Sequence, residues 1–339
     1  MADTKCVVGT CLQMCSKREI EWRESKNLLH FFEINHDIKK EIKAHPTKVI
    51  KQYSRSAAGK ELLSPTELRP SPILLKTMNY LINEIIPRTE IPWLVVYDFV
   101  NDRIQAIRQD MTVQRIEDHN AVEILEKCVR FYIIASYVLC EEPQNKFDQH
   151  LNSQQLNICL ESLFTLYKKF KSDSCGEFIA IYLAENVTYV ETYYRSISMF
   201  SDHLSRPNVK LSFRICTAYM DGNFVQFYRL VKRLPILILL CFFHLFNHVQ
   251  IRALEVLNNA YSSNICKFPV QVLCSWLSVT QKHYMLELCQ KCDIKIDGAI
   301  VCFNKKRFKR VSNLSLKKVA FIDCKLQEVE LSKLICGQT

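Results

Sequence analysis

The chain has 339 residues, is 48% hydrophobic and 24% charged, and carries a formal net charge of +10. Six glycines in that length argue against a β-sandwich or a doubly wound sheet, which need them at turns and phosphate loops, and favour helices joined by polar turns. Sixteen cysteines beside an N-terminus, MADTKCVVGT, that has no basic-then-apolar leader predict an intracellular protein with reduced thiols, not a secreted disulfide scaffold.

Residues 1–60 predict an extended arm with one helix. Ser16 and Glu19 have capping-box spacing, and LLHFFEI (28–34) is a compact apolar patch. The loop 54–72, with Gly59, Pro65, Pro70 and Pro72, is predicted to be a boundary or a wrap around a helical body. That body fills residues 61–261, with helices near 73–86, 93–115, 119–140, 153–171, 176–200, 209–219, 223–233, 235–247 and 249–261.

The segment WLVVYDFVNDRIQAIRQDMTVQ (93–114) is the most informative. On a helix, Val100, Ile104, Ile107 and Met111 form one stripe, and Asp98, Asp102, Gln105 and Gln109 face the other way. Arg103 sits on one edge of the stripe with Asp110 two turns on, and Arg108 sits on the other edge. Charges there lie where a neighbouring helix packs, so they are expected to be paired and to fix how helices meet. Tyr97, Arg103, Arg108 and Asp110 are read as architectural.

Residues 212–231, hinged at Asp221-Gly222-Asn223, resemble a helix–turn–helix unit of tetratricopeptide-like arrays, without a strict sequence period. The apolar run 236–243 is too short to cross a bilayer, which needs roughly 20 residues, and reads as a buried helix. Residues 262–339 change texture: two short helices, 270–279 and 280–292, precede IKIDGAIVCF (294–303), whose Asp297-Gly298 is a hairpin signal. Helices followed by a hairpin are the winged-helix plan. The predicted fold is all-α with a small β-hairpin: a helical-repeat (TPR/PCI-like) array capped by a C-terminal winged helix.

Charge is unevenly spread. Residues 1–204 hold 25 basic and 27 acidic residues, and residues 205–339 hold 20 and 8, so the excess of +12 sits in the last two-fifths. Lys305, Lys306, Arg307, Lys309 and Arg310 surround Phe308 directly after the hairpin. Cations with an aromatic among them suit phosphate contact and base stacking; a localisation signal or a solvated loop gives the same pattern. Lys282, Lys291 and Lys295 extend this nucleic-acid-binding candidate, which Lys317 and Lys318 also adjoin.

No catalytic constellation is present. The glycines, at 9, 59, 176, 222, 298 and 337, fit neither GxGxxG nor a Walker loop. His244 and His248 stand at i and i+4 without a carboxylate in register. Cys6, Cys11 and Cys15, and the single pair Cys289-x-x-Cys292 with Cys274 or Cys302, fall short of a zinc pattern. The reading is a non-enzyme with no cofactor, no metal and no small-molecule substrate.

Five ordered blocks carry a resemblance: GTCLQMCSKREIEWRE (9–24), YSRSAAG (53–59) with ELRPSP (67–72), YDFVNDRIQAIRQDMTVQ (97–114), LEKCVRFYIIASYVLCEEP (125–143) and the helical region 213–261. Together they resemble the suppressor-of-actin-three (SAC-three)/GANP family, scaffold proteins of the nuclear mRNA-export complex. Ser16 replaces the family's proline after the second opening cysteine. The resemblance implies a PCI-like scaffold that pairs with a PCI-domain protein through adjacent winged helices, forming a platform for RNA or DNA backbone. It also implies a small acidic Sem/DSS-type protein in the complex, a nuclear and cytoplasmic location and no membrane. The compact, single-domain branch of the family implies instead a role in centrosome duplication and mitotic spindle progression. A subunit of a proteasome-lid-like or translation-factor-like PCI assembly is a third reading, against which GTC-x2-MC argues.

Overall fold

The computed structural model describes residues 7–35, 43–55, 64–263, 265–311 and 314–338. Cys6, Gly59 and residues 56–63 of the predicted 54–72 loop lie outside the described residues. The chain folds into two compact units, unit 1 comprising Met1–Ala135, Pro143–Lys171 and Val329–Thr339, and unit 2 comprising Ser136–Glu142 and Ser172–Glu328.

Unit 1 begins with the arm. Its helix α1 (Lys17–Ser25) starts at Ser16, whose hydroxyl accepts from the Glu19 amide at 3.3 Å. The Glu19 carboxylate turns away from the cap and takes the Gln52 amide at 2.8 Å, so the expected reciprocal box is half used. Phe32 of the apolar patch is buried edge-on against Phe99, with ring centroids 5.0 Å apart. Helix α2 (Ser71–Tyr80), started by Pro72, runs into a π turn over Leu81–Ile85.

Helix α3 (Trp93–Gln114) buries the predicted stripe of Val100, Ile104, Ile107 and Met111. Its other face is not left to solvent. Asp102 accepts the Tyr53 amide at 3.2 Å and Gln109 donates to the Ser54 carbonyl at 2.8 Å, because the arm returns across it. Helix α4 (His119–Val138) is buried along most of its length and lies between α3 and α5 (Gln149–Tyr167). Tyr97 stacks on Phe131 from one side (5.8 Å, 11°), and Asn152 donates to the Tyr132 carbonyl from the other (2.9 Å). Asp148 caps α5 through the His150 and Leu151 amides, moving its start ahead of the expected residue 153.

Unit 2 holds α6 (Cys175–Asn186), α7 (Val190–Met199), α8 (Pro207–Met220), α9 (Phe224–Val231), α10 (Ile236–Phe242) and α11 (Phe246–Ala260). The single helix expected over 176–200 is broken at residues 187–189, where Val187 and Thr188 follow Asn186, all weak helix formers. The α8–α9 reversal uses Gly222 at φ 70° and an Asn223 cap on the Gln226 amide. No break occurs near residue 248: α10 passes into α11 through a 3-10 turn, Phe243–Leu245. The stretch Ile236–Ala260 is long and apolar enough to cross a membrane by length and composition, yet 78% of it is buried inside the protein, as in a core helix.

After α11 come β1 (Phe268–Pro269), α12 (Val270–Trp276), α13 (Lys282–Lys291), β2 (Lys295–Asp297) and β3 (Ile300–Cys302). The fold is thus mostly helical with a small sheet, and the sheet is larger than the expected hairpin: all three strands are antiparallel neighbours in the order β1-β3-β2. Phe268 packs on Trp276 and Phe303 at 5.6 and 5.4 Å, closing a core under it. Helices α14 (Ala320–Gln327) and α15 (Leu331–Ile335) end the chain's regular structure.

Asp297 pairs with Ile300, so Gly298 takes the first of two loop positions, with φ 59° and open space around its missing side chain. Gly298→Ala therefore carries backbone strain without a clash and is expected to destabilise by about 1–2 kcal/mol. Gly298→Asn should recover part of the loss, as urea-unfolding midpoints of the two variants will show.

Candidate functional site

Two features bear on function: a set of buried charges in unit 1 and a basic segment in unit 2. Glu33 and Asp110 are both fully buried carboxylates. Glu33 ends a short 3-10 turn, Phe31–Glu33, and accepts from Arg103 of α3 at 3.0 Å, the Ile50 amide at 3.1 Å and the His30 amide at 3.1 Å. Arg23 of α1 closes on the same carboxylate through both terminal nitrogens and donates to the Ile50 carbonyl at 3.1 Å. Arg103 also meets Asp102, and its guanidinium lies 4.5 Å from the Phe99 ring centroid.

Asp110 accepts from Lys51 Nζ at 2.6 Å and Arg69 Nε at 2.7 Å. Lys51 goes on to the Glu67 carbonyl (2.8 Å) and Arg69 to the Met14 carbonyl (3.3 Å). One turn later Gln114 donates to the Arg69 carbonyl and accepts the Gly9 amide at 2.8 Å. A Cβ at Gly9 would stand 2.4 Å from the Leu68 carbonyl oxygen, so only glycine lets the arm lie this close. Cys11 and Cys15 are buried in the same seam, and burial, then the Glu19 charge, pushes the Cys15 thiol well up.

Of the four residues on α3 singled out in the sequence, Arg103, Asp110 and Tyr97 are buried, Tyr97 donating to Asn152 Oδ1 at 3.2 Å. Arg103 and Asp110 do not pair with each other. Their partners are Glu33, Lys51 and Arg69, none of which local periodicity marks; Gly9, Arg23 and Arg69 at least fall inside the quoted motif blocks. Arg108 differs from the expectation of paired charges: it donates to Gln155 Oε1 at 2.6 Å and, among the described residues, meets no carboxylate.

The basic segment 305–310 follows β3 and folds back on α11 and α13. The Asn304 amide donates to Asn258, the Lys305 amide to Ser262 and the Lys309 amide to the Cys292 carbonyl. Asp293 lies 3.9 Å from Arg307 and 3.6 Å from Lys309, and Glu255 lies 3.8 Å from Arg310. All five cations are exposed, as are Lys282, Lys291 and Lys295, whereas Phe308 is half-buried. Lys291 pairs with Glu287 at 2.8 Å.

Cys289 and Cys292 are buried, and burial pushes their thiols up to about 12 and about 11. His244 lies in the tight turn with burial pulling it down to about 4, whereas His248 meets the Tyr219 hydroxyl at 3.1 Å. Among the described residues no three His, Cys, Asp or Glu side chains converge as a metal set.

Removing Arg103 leaves Glu33 with one guanidinium in a buried setting, so Arg103→Ala is expected to destabilise by about 3 kcal/mol, read as a fall in melting temperature. Burial alone would raise the Glu33 carboxyl, but the Arg103 and Arg23 charges, with hydrogen bonds from Arg23 and Ile50, hold it below its ordinary 4.5. A depressed carboxyl stabilises the fold fully above its unfolded value and ceases to as pH falls through the lower folded one. Melts taken below pH 4.5 should show that loss, and Arg103→Ala should make it smaller, because the folded Glu33 value then rises towards the unfolded one.

The sequence profile of the SAC3/GANP family matches residues 14–298. SAC3 family protein B of Arabidopsis thaliana is 28% identical over 81% of this chain, and Protein xmas of Drosophila melanogaster is 27% identical over 86%. SAC3 family protein 1 of Schizosaccharomyces pombe is 36% identical over 47%. The aligned regions cover 17%, 15% and 15% of those proteins, so the chain spans a small part of the length of the curated relatives it matches. A match that takes in α1, the buried charges, α3 and all the helices through α13 places this chain in the SAC3/GANP family.

Proposed function

We propose that this chain is a non-enzymatic scaffold acting in nuclear mRNA export, with residues 268–302 forming a winged helix that sits beside that of a PCI-domain partner. The observation that carries this is the order β1-β3-β2 with α12 and α13 between β1 and β2, the connectivity of a winged helix, in a member of the SAC3/GANP family. The buried charges serve this role by making unit 1 a rigid mount. The wing is the segment 305–310, and its anionic ligand is single-stranded RNA, held through the backbone with little sequence preference. Lys305 and Lys306 are exposed and reach it directly; Arg307, Lys309 and Arg310 exchange Asp293 and Glu255 for phosphates. A small acidic Sem/DSS-type protein belongs to the same complex.

Affinity purification from dividing cells tests the assembly. A PCI-domain protein with nuclear-pore and export factors supports the reading, and a retinue of pericentriolar proteins replaces it with a centrosomal one. RNA binding is tested on the purified complex with its partner. The log of affinity should fall with log salt by about 0.7 per phosphate contacted. Changing Lys305, Lys306, Arg307, Lys309 and Arg310 to Ala should weaken binding for every sequence and flatten that slope. Phe308→Ala should cost about 1–3 kcal/mol if the ring turns out to stack. A complex with no salt-dependent RNA binding removes the wing from this role.

A further inference from the structure

The fully buried basic side chains of unit 1 each lie against a carboxylate, whereas the half-buried Arg108 of α3 meets none among the described residues. Arg23, Lys51, Arg69, Arg103, Lys127 and Arg130 are buried, and each lies against a carboxylate: Glu33, Asp110, Asp110, Glu33, Glu123 and Glu126 respectively. Arg108 is half-buried, with Gln155 Oε1 at 2.6 Å and the Cys159 thiol, the Tyr132 hydroxyl and the Cys128 thiol beside it; against burial, a hydrogen bond from Cys128 and this guanidinium hold the Cys159 thiol below its ordinary value. A guanidinium partly withdrawn from water with no carboxylate against it keeps a fork of donors that fits one with two parallel bonds.

The surface above it is shaped to bring one. Arg108 and Thr112 line two adjoining depressions of about 410 and 320 Å³ in unit 1, one against α5 and the other beside Tyr53 of the arm. The larger is lined by apolar Met111, Ile116, Leu125, Ile158 and Leu166 beside polar Thr112, Ser162 and Thr165; of the apolar groups Ile158 is the most open, at 45% exposed. Glu117, the carboxylate in that lining, is taken by Lys169. Arg115 adds an exposed cation at the rim.

We propose that this groove is a docking site for an acidic–aliphatic peptide segment of a partner protein, an Asp or Glu carboxylate seating on Arg108 and a neighbouring aliphatic side chain on Ile158 and Met111. Charge decides for a peptide over nucleic acid. The groove offers two cations, Arg108 and Arg115, instead of a long row, its larger lobe has no aromatic ring for a base, and residues 1–204 carry a net −2, which gains nothing from a polyanion. The site is in unit 1 and separate from the 305–310 segment, so it stands or falls independently of the RNA reading.

Short peptides displayed on phage are selected on the full chain and counter-selected on Arg108→Gln. The expected survivors carry Asp or Glu next to Leu, Ile or Val. As synthetic peptides they should bind in fluorescence anisotropy, lose about tenfold with Arg108→Gln and also weaken with Ile158→Glu. Amidating the acidic residue to Asn or Gln should reproduce the loss. Arg108→Gln should keep the wild-type melting temperature, unlike Arg103→Ala, because it removes no ion pair. Survivors without acidic residues, or binding indifferent to Arg108, overturns the proposal. So does a labelled oligo-uridylate bound in an Arg108-dependent way, which would make this a phosphate site. A melting temperature lowered by Arg108→Gln together with no Arg108-dependent peptide would make the arginine a structural brace.

Discussion

Glu33 and Asp110 are fully buried carboxylates, and each is held between two cations from other parts of unit 1. The described residues of the arm before α2 are pinned to α3 by these contacts. Apolar packing alone would let the arm slide along α3, since one aliphatic stripe accepts many registers. Glu33 with Arg103 and Asp110 with Lys51 permit one, because a shift would strand a charge away from water at a cost of several kcal/mol. Such pairs add little net stability over an apolar equivalent and act mainly by penalising alternatives. Gly9 belongs to the same scheme: its lack of a side chain lets the arm's backbone bond Leu68 and Gln114 at once.

Much of the fold was legible because it is local. The α3 stripe, the Ser16 cap and the Asp297-Gly298 reversal are written in spacings of two to four residues, where side-chain periodicity and turn chemistry act. The partners of the α3 charges were not legible, since Glu33 is 70 residues from Arg103 and Lys51 is 59 from Asp110. Periodicity reports that a charge lies at a packing edge and not what comes to meet it. For the same reason the face with Asp102 and Gln109 read as solvated although the arm crosses it. Strand β1, two residues of which one is proline, is below any sequence signal and exists only because β3 offers an edge.

The candidate surfaces show a related limit. Counting charges found the basic C-terminal part but could not see that two carboxylates, Asp293 and Glu255, already lie within 4 Å of three of the five cations in 305–310. Conversely, Arg108 looked like another edge charge awaiting a carboxylate, and that it meets Gln155 and Cys159 instead appears only once α5 is in place. The apolar run 236–243, read from the sequence as a buried helix, is one, although the longer stretch Ile236–Ala260 would suit a bilayer by length and composition.

Unit 1 includes residues from the far end of the chain. Arg130 donates to the Ile335 carbonyl, 205 residues on, and its guanidinium lies where a side chain at Gly337 would be, a position at φ 74°. On the ribosome, α4 emerges with that guanidinium exposed and must wait while all of unit 2 is made. At ordinary synthesis rates the delay is roughly 10–40 s. During that time the first-made unit lacks α15 and the last of its Arg130 contacts, so it is completed last. A chain interrupted anywhere in unit 2 would leave unit 1 open too, which ties the quality of both units to completion of a single translation event.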